Sequence, residues 1–104
     1  MPRLTLEDYR DFIDWRPGSG RSVEIFDIAV GSARRQGRGR ELIRKLLTEI
    51  PKETSLVFAI TRIGNTIAQQ FYESCGFRLV GRLHNFYRDG ANGNEHALMY
   101  GLDV

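Results

Sequence analysis

The chain has little of what staples or metallates a small protein. Among its 104 residues are one cysteine and two histidines. Cys75 alone closes no intrachain disulfide, and with His84 and His96 it makes no recognisable metal-ligand spacing. Prolines number three, and the loosest stretches, Pro17 to Gly20 and Asp89 to Asn94, have the length of turns and not of linkers. No repeat or low-complexity tract interrupts the sequence. No apolar run approaches the roughly 20 residues of a membrane span, and no charged, apolar, small-residue leader opens the chain. A net charge of +2 is too small for a nucleic-acid footprint, and the positive residues cluster locally instead of covering a face. With 41% hydrophobic and 27% charged residues, the composition fits one cytoplasmic globular domain over residues 1–104, with no metal, membrane or nucleic acid as an expected partner.

What the chain does have is concentrated between Ser32 and Ile50. Leu42, Ile43, Leu46, Leu47 and Ile50 recur at the spacing of one buried helix face. Arg40, Glu41, Arg44, Lys45, Thr48 and Glu49 fill the opposite face, Glu41 and Lys45 form a favourably oriented i, i+4 pair, and Pro51 ends the helix. Gly37 and Gly39 stand at its start, where a missing side chain lets backbone N–H groups approach a ligand. Arg34, Arg35, Arg38 and Arg40 crowd the same end, although the helix dipole disfavours cations there. An anion shared between guanidinium groups and free N–H groups accounts for this, and phosphate is the usual one. The dinucleotide fingerprint is excluded because Leu42 stands where a third glycine is needed. The P-loop is excluded because Gly39-Arg40-Glu41 replaces Gly-Lys-Ser/Thr.

Around this turn the remaining elements fall into order. Leu6, Tyr9 and Ile13 give a short helical turn over about residues 5 to 10, followed by a strand to Arg16 that pairs with the next one. Val23 to Val30 is a strand in which Glu24 and Asp27 are expected on opposite faces, because side chains alternate. Ser55 to Thr61 is an almost wholly apolar run and reads as a strand covered on both faces. Strand, helix and buried strand make a right-handed βαβ crossover. A second helix begins at the N-cap Asn65, turns Ala68, Phe71, Tyr72 and Cys75 to one face, and closes on Gly76 in a left-handed cap. Phe77 to Arg88 and Glu95 to Asp103 then form an antiparallel pair around a turn rich in Asp, Gly and Asn.

Three blocks in this order carry a family resemblance. Arg34-x-x-Gly37-x-Gly39, between strand and amphipathic helix, resembles motif A of the GNAT superfamily of acetyl-CoA-dependent N-acetyltransferases. Asn65-x-x-Ala68-x-x-Phe71-Tyr72-x-x-x-Gly76-Phe77 resembles the second GNAT block at every spacing. Asn85-Phe86-Tyr87-Arg88-Asp89-Gly90 followed by Glu95-His96-Ala97-Leu98-Met99 is similar to the last hairpin of many members. The resemblance implies an α/β fold: a GNAT-like mixed sheet with a central parallel βαβ unit, a C-terminal antiparallel hairpin and reduced N-terminal elements.

It also implies a cosubstrate, acetyl-CoA, and roles for individual positions. Ile28, Ala29 and Val30 are the strand end whose backbone pairs with the pantetheine arm and polarises the thioester. Arg35, Gln36, Gly37, Arg38, Gly39 and Arg40 hold the pyrophosphate, and Asn65 contacts the cofactor arm. Tyr72 matches a tyrosine that returns a proton to the leaving thiolate; its alternative is a core aromatic. Glu24 matches a strand position where some members carry the general base that an ammonium acceptor requires. Its alternative is a solvated strand residue, and Asp27 is the weaker candidate. His84 and His96 read as structural or surface residues, and Cys75 as a small buried hydrophobe.

GNAT domains usually place a strand, two helices and two more strands before the motif A strand. Only 22 residues precede Val23 here, so much of the acceptor wall is expected to be missing, and a homodimer is expected to supply it. The function implied is N-acetyl transfer from acetyl-CoA to an amine of a small molecule or a protein by direct attack. The alternative is a non-catalytic CoA-binding module or a subunit completed by a partner chain. A nucleic-acid binder using the arginine cluster comes third, and requires steeply salt-dependent binding.

Overall fold

The computed structural model of the protein describes residues 2–5, 12–29, 37–90 and 93–104. Six strands and two helices follow in the order β1 (Arg3–Thr5), β2 (Phe12–Pro17), β3 (Ser22–Ala29), α1 (Arg38–Glu49), β4 (Leu56–Arg62), α2 (Thr66–Ser74), β5 (Arg78–Gly90) and β6 (Gly93–Asp103). The sheet order is β1-β2-β3-β4-β6-β5. Only β3 and β4 run parallel; every other neighbouring pair is antiparallel. This is the mixed α/β sheet expected from the motifs, with its parallel βαβ unit and its final hairpin.

The front of the chain departs from expectation. Thr5 is paired with Phe12 in a strand and does not open a helical turn, so β1 adds a second strand before the motif A region. The rest of the expected turn, residues 6–10, lies outside the described residues. The strand expected up to Arg16 is present as β2, and Leu4 and Ile13 are the buried pair that ties β1 to it. Burial of one alternating face explains why extended structure wins there.

Both helices lie on one face of the sheet. Leu42, Ile43 and Leu46 from α1 and Tyr72 from α2 form one core with Ile13, Val23, Ile25, Val57, Ala59 and Tyr100. Helix α1 stops where proline demands it: Ile50 has extended dihedrals before Pro51, since the pyrrolidine ring crowds a helical predecessor. Leu47, expected on the buried stripe, is 37% exposed. Lys45 does not pair with Glu41; its ammonium donates to the Thr5 carbonyl at 2.9 Å, while Glu41 meets Arg38 at 3.5 Å. The backbone of the edge strand β1, close to the helix, offers Lys45 a fixed acceptor, which a solvated i, i+4 pair does not match.

Strand β4 is not covered on both faces. Val57, Ala59 and Thr61 are buried under the helices, whereas Leu56, Phe58 and Ile60 are half-buried. Among the described residues no helix lies over that second face. Arginines lie across its rings instead. Arg3 stacks on Phe12, Arg16 on Phe26 and Arg62 on Tyr87, and the same guanidinium groups pair with Asp14, Glu24 and Glu95. Each stack covers an aromatic face while the charged head stays in contact with water or a carboxylate. The outer strand β5 breaks register with β6 in three places, between Leu79 and Gly81, Leu83 and Tyr87, and Tyr87 and Gly90.

Candidate active site

The site begins with a fault in strand β3. Trp15 of β2 pairs with Ile25, but the next β2 residue inward, Asp14, pairs with Asp27, so Phe26 is an extra residue in the ladder. An inserted residue bends its strand and shifts the alternation of the residues beyond it. Asp14 and Arg16 are two apart and share a face; their partners Asp27 and Glu24 therefore share it too. This corrects the expectation that Glu24 and Asp27 face opposite ways. Both belong to the helix-free face, where Glu24 also pairs with Phe58.

The bend has a second effect. Strands β3 and β4 are in register over Ser22 to Ile25, opposite Leu56 to Ala59, and no further. Beyond that point β3 stays with β2 as far as Ala29, and β4 stays with β6 as far as Arg62. The two parallel strands thus diverge, leaving Phe26 to Ala29 on one side of an opening and Ile60 to Arg62 on the other. Backbone groups turned into such an opening need partners from outside the sheet. Ile28 and Ala29, nominated from sequence for backbone contacts, line it; Val30 lies outside the described residues.

Helix α1 starts beside the opening. Gly37 is its N-cap, in the left-handed region at φ 75°, and having no side chain it makes no side-chain cap bond. The first hydrogen bond within the helix runs from Glu41 N–H to the Gly37 carbonyl at 3.0 Å, so the N–H groups of Arg38, Gly39 and Arg40 have no partner within the helix. Gly39 is buried against α2: a β-carbon there would stand 2.9 Å from Phe71 Cζ and closer still to Cε1. The absent side chain is what lets the end of α1 touch α2. Arg38 and Arg40 flank this turn, and Arg40 is near enough to Cys75 to act on its thiol. Arg35 and Gln36 lie outside the described residues.

Helix α2 contributes the aromatic wall. Asn65 caps it, its Oδ1 accepting from Ala68 N–H at 3.1 Å. At the far end Gly76, at φ 92°, gives its N–H to the Glu73 carbonyl, and Phe77 gives its own to Tyr72. This pair of bonds closes a helix on a left-handed glycine. Between them Tyr72 is 4% exposed and packs on Phe71, Phe77 and Tyr100 with centroids 5.3, 5.2 and 6.2 Å away. Burial first, and then the negative charge of Asp27, hold its phenol well above the usual range. The hydroxyl is therefore a kept proton. Asp27 also acts on Arg3, whose pKa is raised chiefly by its hydrogen bond to Asp14. It thus stands within electrostatic reach of both the Arg3–Asp14 pair and Tyr72.

Glu24 lies on the helix-free face, its Oε1 2.9 Å from Arg16 Nη2. Tyr72 lies on the helix face. The two residues nominated for proton transfer thus address the sheet from opposite sides. Cys75 is half-buried, and burial pushes its thiol up; it is not the lowered thiolate of a nucleophile. His84 and His96 stack at 4.5 Å, and His96 Nδ1 accepts from the Asn85 N–H at 2.9 Å, a structural arrangement in the hairpin. Among the described residues no group of acids, histidines and cysteine is arranged to hold a metal. No described helix is long and apolar enough to cross a membrane.

The fold is thus a mixed α/β sheet with two parallel strands that diverge and a helix between them that starts on a glycine. A family model of the acetyltransferase (GNAT) family matches residues 6–77, and the chain belongs to that family. Among solved structures, the ribosomal-protein-S18-alanine N-acetyltransferase of Escherichia coli is 28% identical with a TM-score of 0.74, over 96% of this chain and 65% of that one. A streptothricin acetyltransferase candidate from Bacillus anthracis, in complex with acetyl coenzyme A, is 27% identical with a TM-score of 0.82, over 96% of this chain and 59% of that one. A GNAT family acetyltransferase from Elizabethkingia anophelis with acetyl-CoA bound shares the fold at 21% identity and a TM-score of 0.76, over 90% of this chain and 68% of that one. The chain thus spans less than two thirds of the first two structures. No curated protein matches it.

Proposed function

We propose that the chain transfers an acetyl group from acetyl-CoA to an amine by direct attack. The observation that carries this reading is the divergence of β3 and β4 beyond Ile25 and Ala59, with α1 opening on the left-handed Gly37. The cosubstrate fits the donors on the page. Its diphosphate suits the N-terminal turn of α1, with Arg38 and Arg40 on it, and Arg35 and Gln36 are assigned to the same cradle. Its amide-bearing arm suits the β3 edge at Ile28 and Ala29, which β4 does not pair, and Val30 is assigned to the same arm. Asn65, already committed to the cap through Oδ1, retains its amide N–H groups for that arm.

In the reaction the amine nitrogen forms a bond to the thioester carbon, the C–S bond breaks, and no covalent enzyme intermediate is needed. Glu24 takes the proton the amine must lose, and Tyr72 returns one to the departing thiolate. Their positions on opposite faces support this assignment: the amine enters from the helix-free side and the thiol leaves on the helix side. The acceptor is an amine of a small molecule or a protein. A second copy lying over the helix-free face would complete the acceptor wall, and a solution mass equal to one chain in light scattering removes that part of the reading.

A ligand that binds only the native state raises the melting temperature. Acetyl-CoA and CoA should therefore raise Tm in the wild type and not in Gly37→Trp or Arg38→Glu. Thiol release with an amine panel should follow and disappear in Tyr72→Phe. A shift without thiol release selects the non-catalytic CoA-binding alternative; no shift removes both.

A further inference from the structure

Among the described residues one buried side-chain polar atom has no hydrogen-bond partner, the hydroxyl oxygen of Thr61. Thr61 is 6% exposed and sits in an otherwise apolar stripe: Val57 and Ala59 precede it on the same face of β4, and Leu98 is opposite in β6. A threonine in a strand has no helical carbonyl behind it to accept its proton. Valine has nearly the same shape and a higher preference for such a site. An unpaired hydroxyl there costs stability that a methyl group would not, so packing alone does not account for it.

Its place in the sheet does. Ala59 is the last β4 residue in register with β3, opposite Ile25. Thr61 is the next residue on that face, the first helix-side position of β4 past the point where the two strands part. The orphan hydroxyl therefore lies at the edge of the opening, on the same face of the sheet as Tyr72. We infer that Thr61 is a positioning residue for the acyl carrier, its hydroxyl exchanging a hydrogen bond with an amide group of the pantetheine arm. The arm then has fixed partners on both banks: backbone groups of Ile28 and Ala29 from β3 and a side-chain hydroxyl from β4. The inference rests on the transfer reading above, and adds to it a donor–acceptor on the strand that reading left unused.

The test uses the opposite signs that the two accounts of Thr61 give. Thr61→Val removes the hydroxyl and keeps the shape. If the hydroxyl serves the carrier, the ligand-free protein melts at the same temperature or higher, and the Kd for CoA, read by calorimetry, weakens about fivefold to tenfold, the worth of one ordinary hydrogen bond. Thr61→Ser, which keeps the hydroxyl, restores the affinity even where the lost methyl lowers Tm. In steady state the change falls on KM for acetyl-CoA and not on KM for the amine. If instead Thr61→Val lowers the ligand-free Tm and leaves the Kd for CoA unchanged, the hydroxyl has a structural partner, such as a buried water, and the inference is overturned. A wild type that binds no CoA at all overturns the transfer reading instead, so the two failures are distinguishable.

Discussion

Gly39, on the first turn of α1, lies against the ring of Phe71 on α2 with no room for a β-carbon between them. The two helices are held by sequence-distant motifs, and this is where those motifs touch. Gly39→Ala is expected to destabilise the fold by about 1–3 kcal/mol, the usual cost of overpacking, seen as a lower midpoint in urea unfolding. Phe71→Leu in the same chain should recover part of the loss. Additive losses would show that the ring does not limit position 39.

Gly37 is constrained differently. Nothing stands within 4 Å of where its β-carbon would be, but its φ is +75°. Gly37→Ala should therefore cost about 1–2 kcal/mol through the backbone alone, whatever its neighbours.

Arg38→Glu separates stability from ligand binding. A negative charge in the first turn suits the helix dipole, worth about 0.3–1 kcal/mol at an exposed end, but it also removes the Arg38–Glu41 pair and sets two acids three residues apart, so the ligand-free Tm should change little. The acetyl-CoA shift should be lost in the same variant. If the shift survives, the anion is not held at this turn.

Tyr72→Phe is expected to lower the rate of thiol release by about 10²-fold or more, the scale of general acid catalysis, while leaving CoA binding intact. Burial raises the phenol pKa, so its proton is retained throughout the neutral and mildly alkaline range. The rate profile should show no alkaline fall from Tyr72 below its reference pKa of about 10. A fall near pH 8 that vanishes in Tyr72→Phe would contradict this.

His96 gives the stability profile a sign. Burial, then Arg82 and His84, hold its pKa below the usual histidine value, and the Asn85 N–H donates to the ring nitrogen that protonation would occupy. The unfolded chain therefore binds the proton first as pH falls. The contribution is fully present above the unfolded pKa of about 6.5 and is lost below it, down to the lowered folded value. Urea midpoints measured from pH 8 to pH 5 should fall over the acid half, and less steeply in His96→Gln.

The sequence carried the fold because its signals were local. The Leu42–Leu46 stripe, the Asn65 cap and the left-handed Gly76 are each decided within a turn or two of helix, and each is where the motifs put it. What was hidden depends on residues far apart in the chain. The extra residue Phe26 has no mark of its own; it exists because Asp14 and Trp15 of β2 fix the register on either side. Because of it, strict alternation misplaced Asp27. Lys45 found a carbonyl 40 residues away, which helix spacing could not anticipate. Thr61 looked like the polar end of an apolar run, and only its burial beside Ala59 distinguishes it. A hydroxyl among branched aliphatic residues at the last turn-in of a strand was the available signal.

The broken ladder of β5 bears on how the protein behaves at high concentration. An outermost strand of 13 residues would ordinarily be a template on which further chains could add. Its longest unbroken register with β6 is Gly81 to Leu83, and each interruption twists the free edge away from a straight row of donors and acceptors. The irregularity of the hairpin is thus a guard against fibrous stacking, achieved without a proline in the strand.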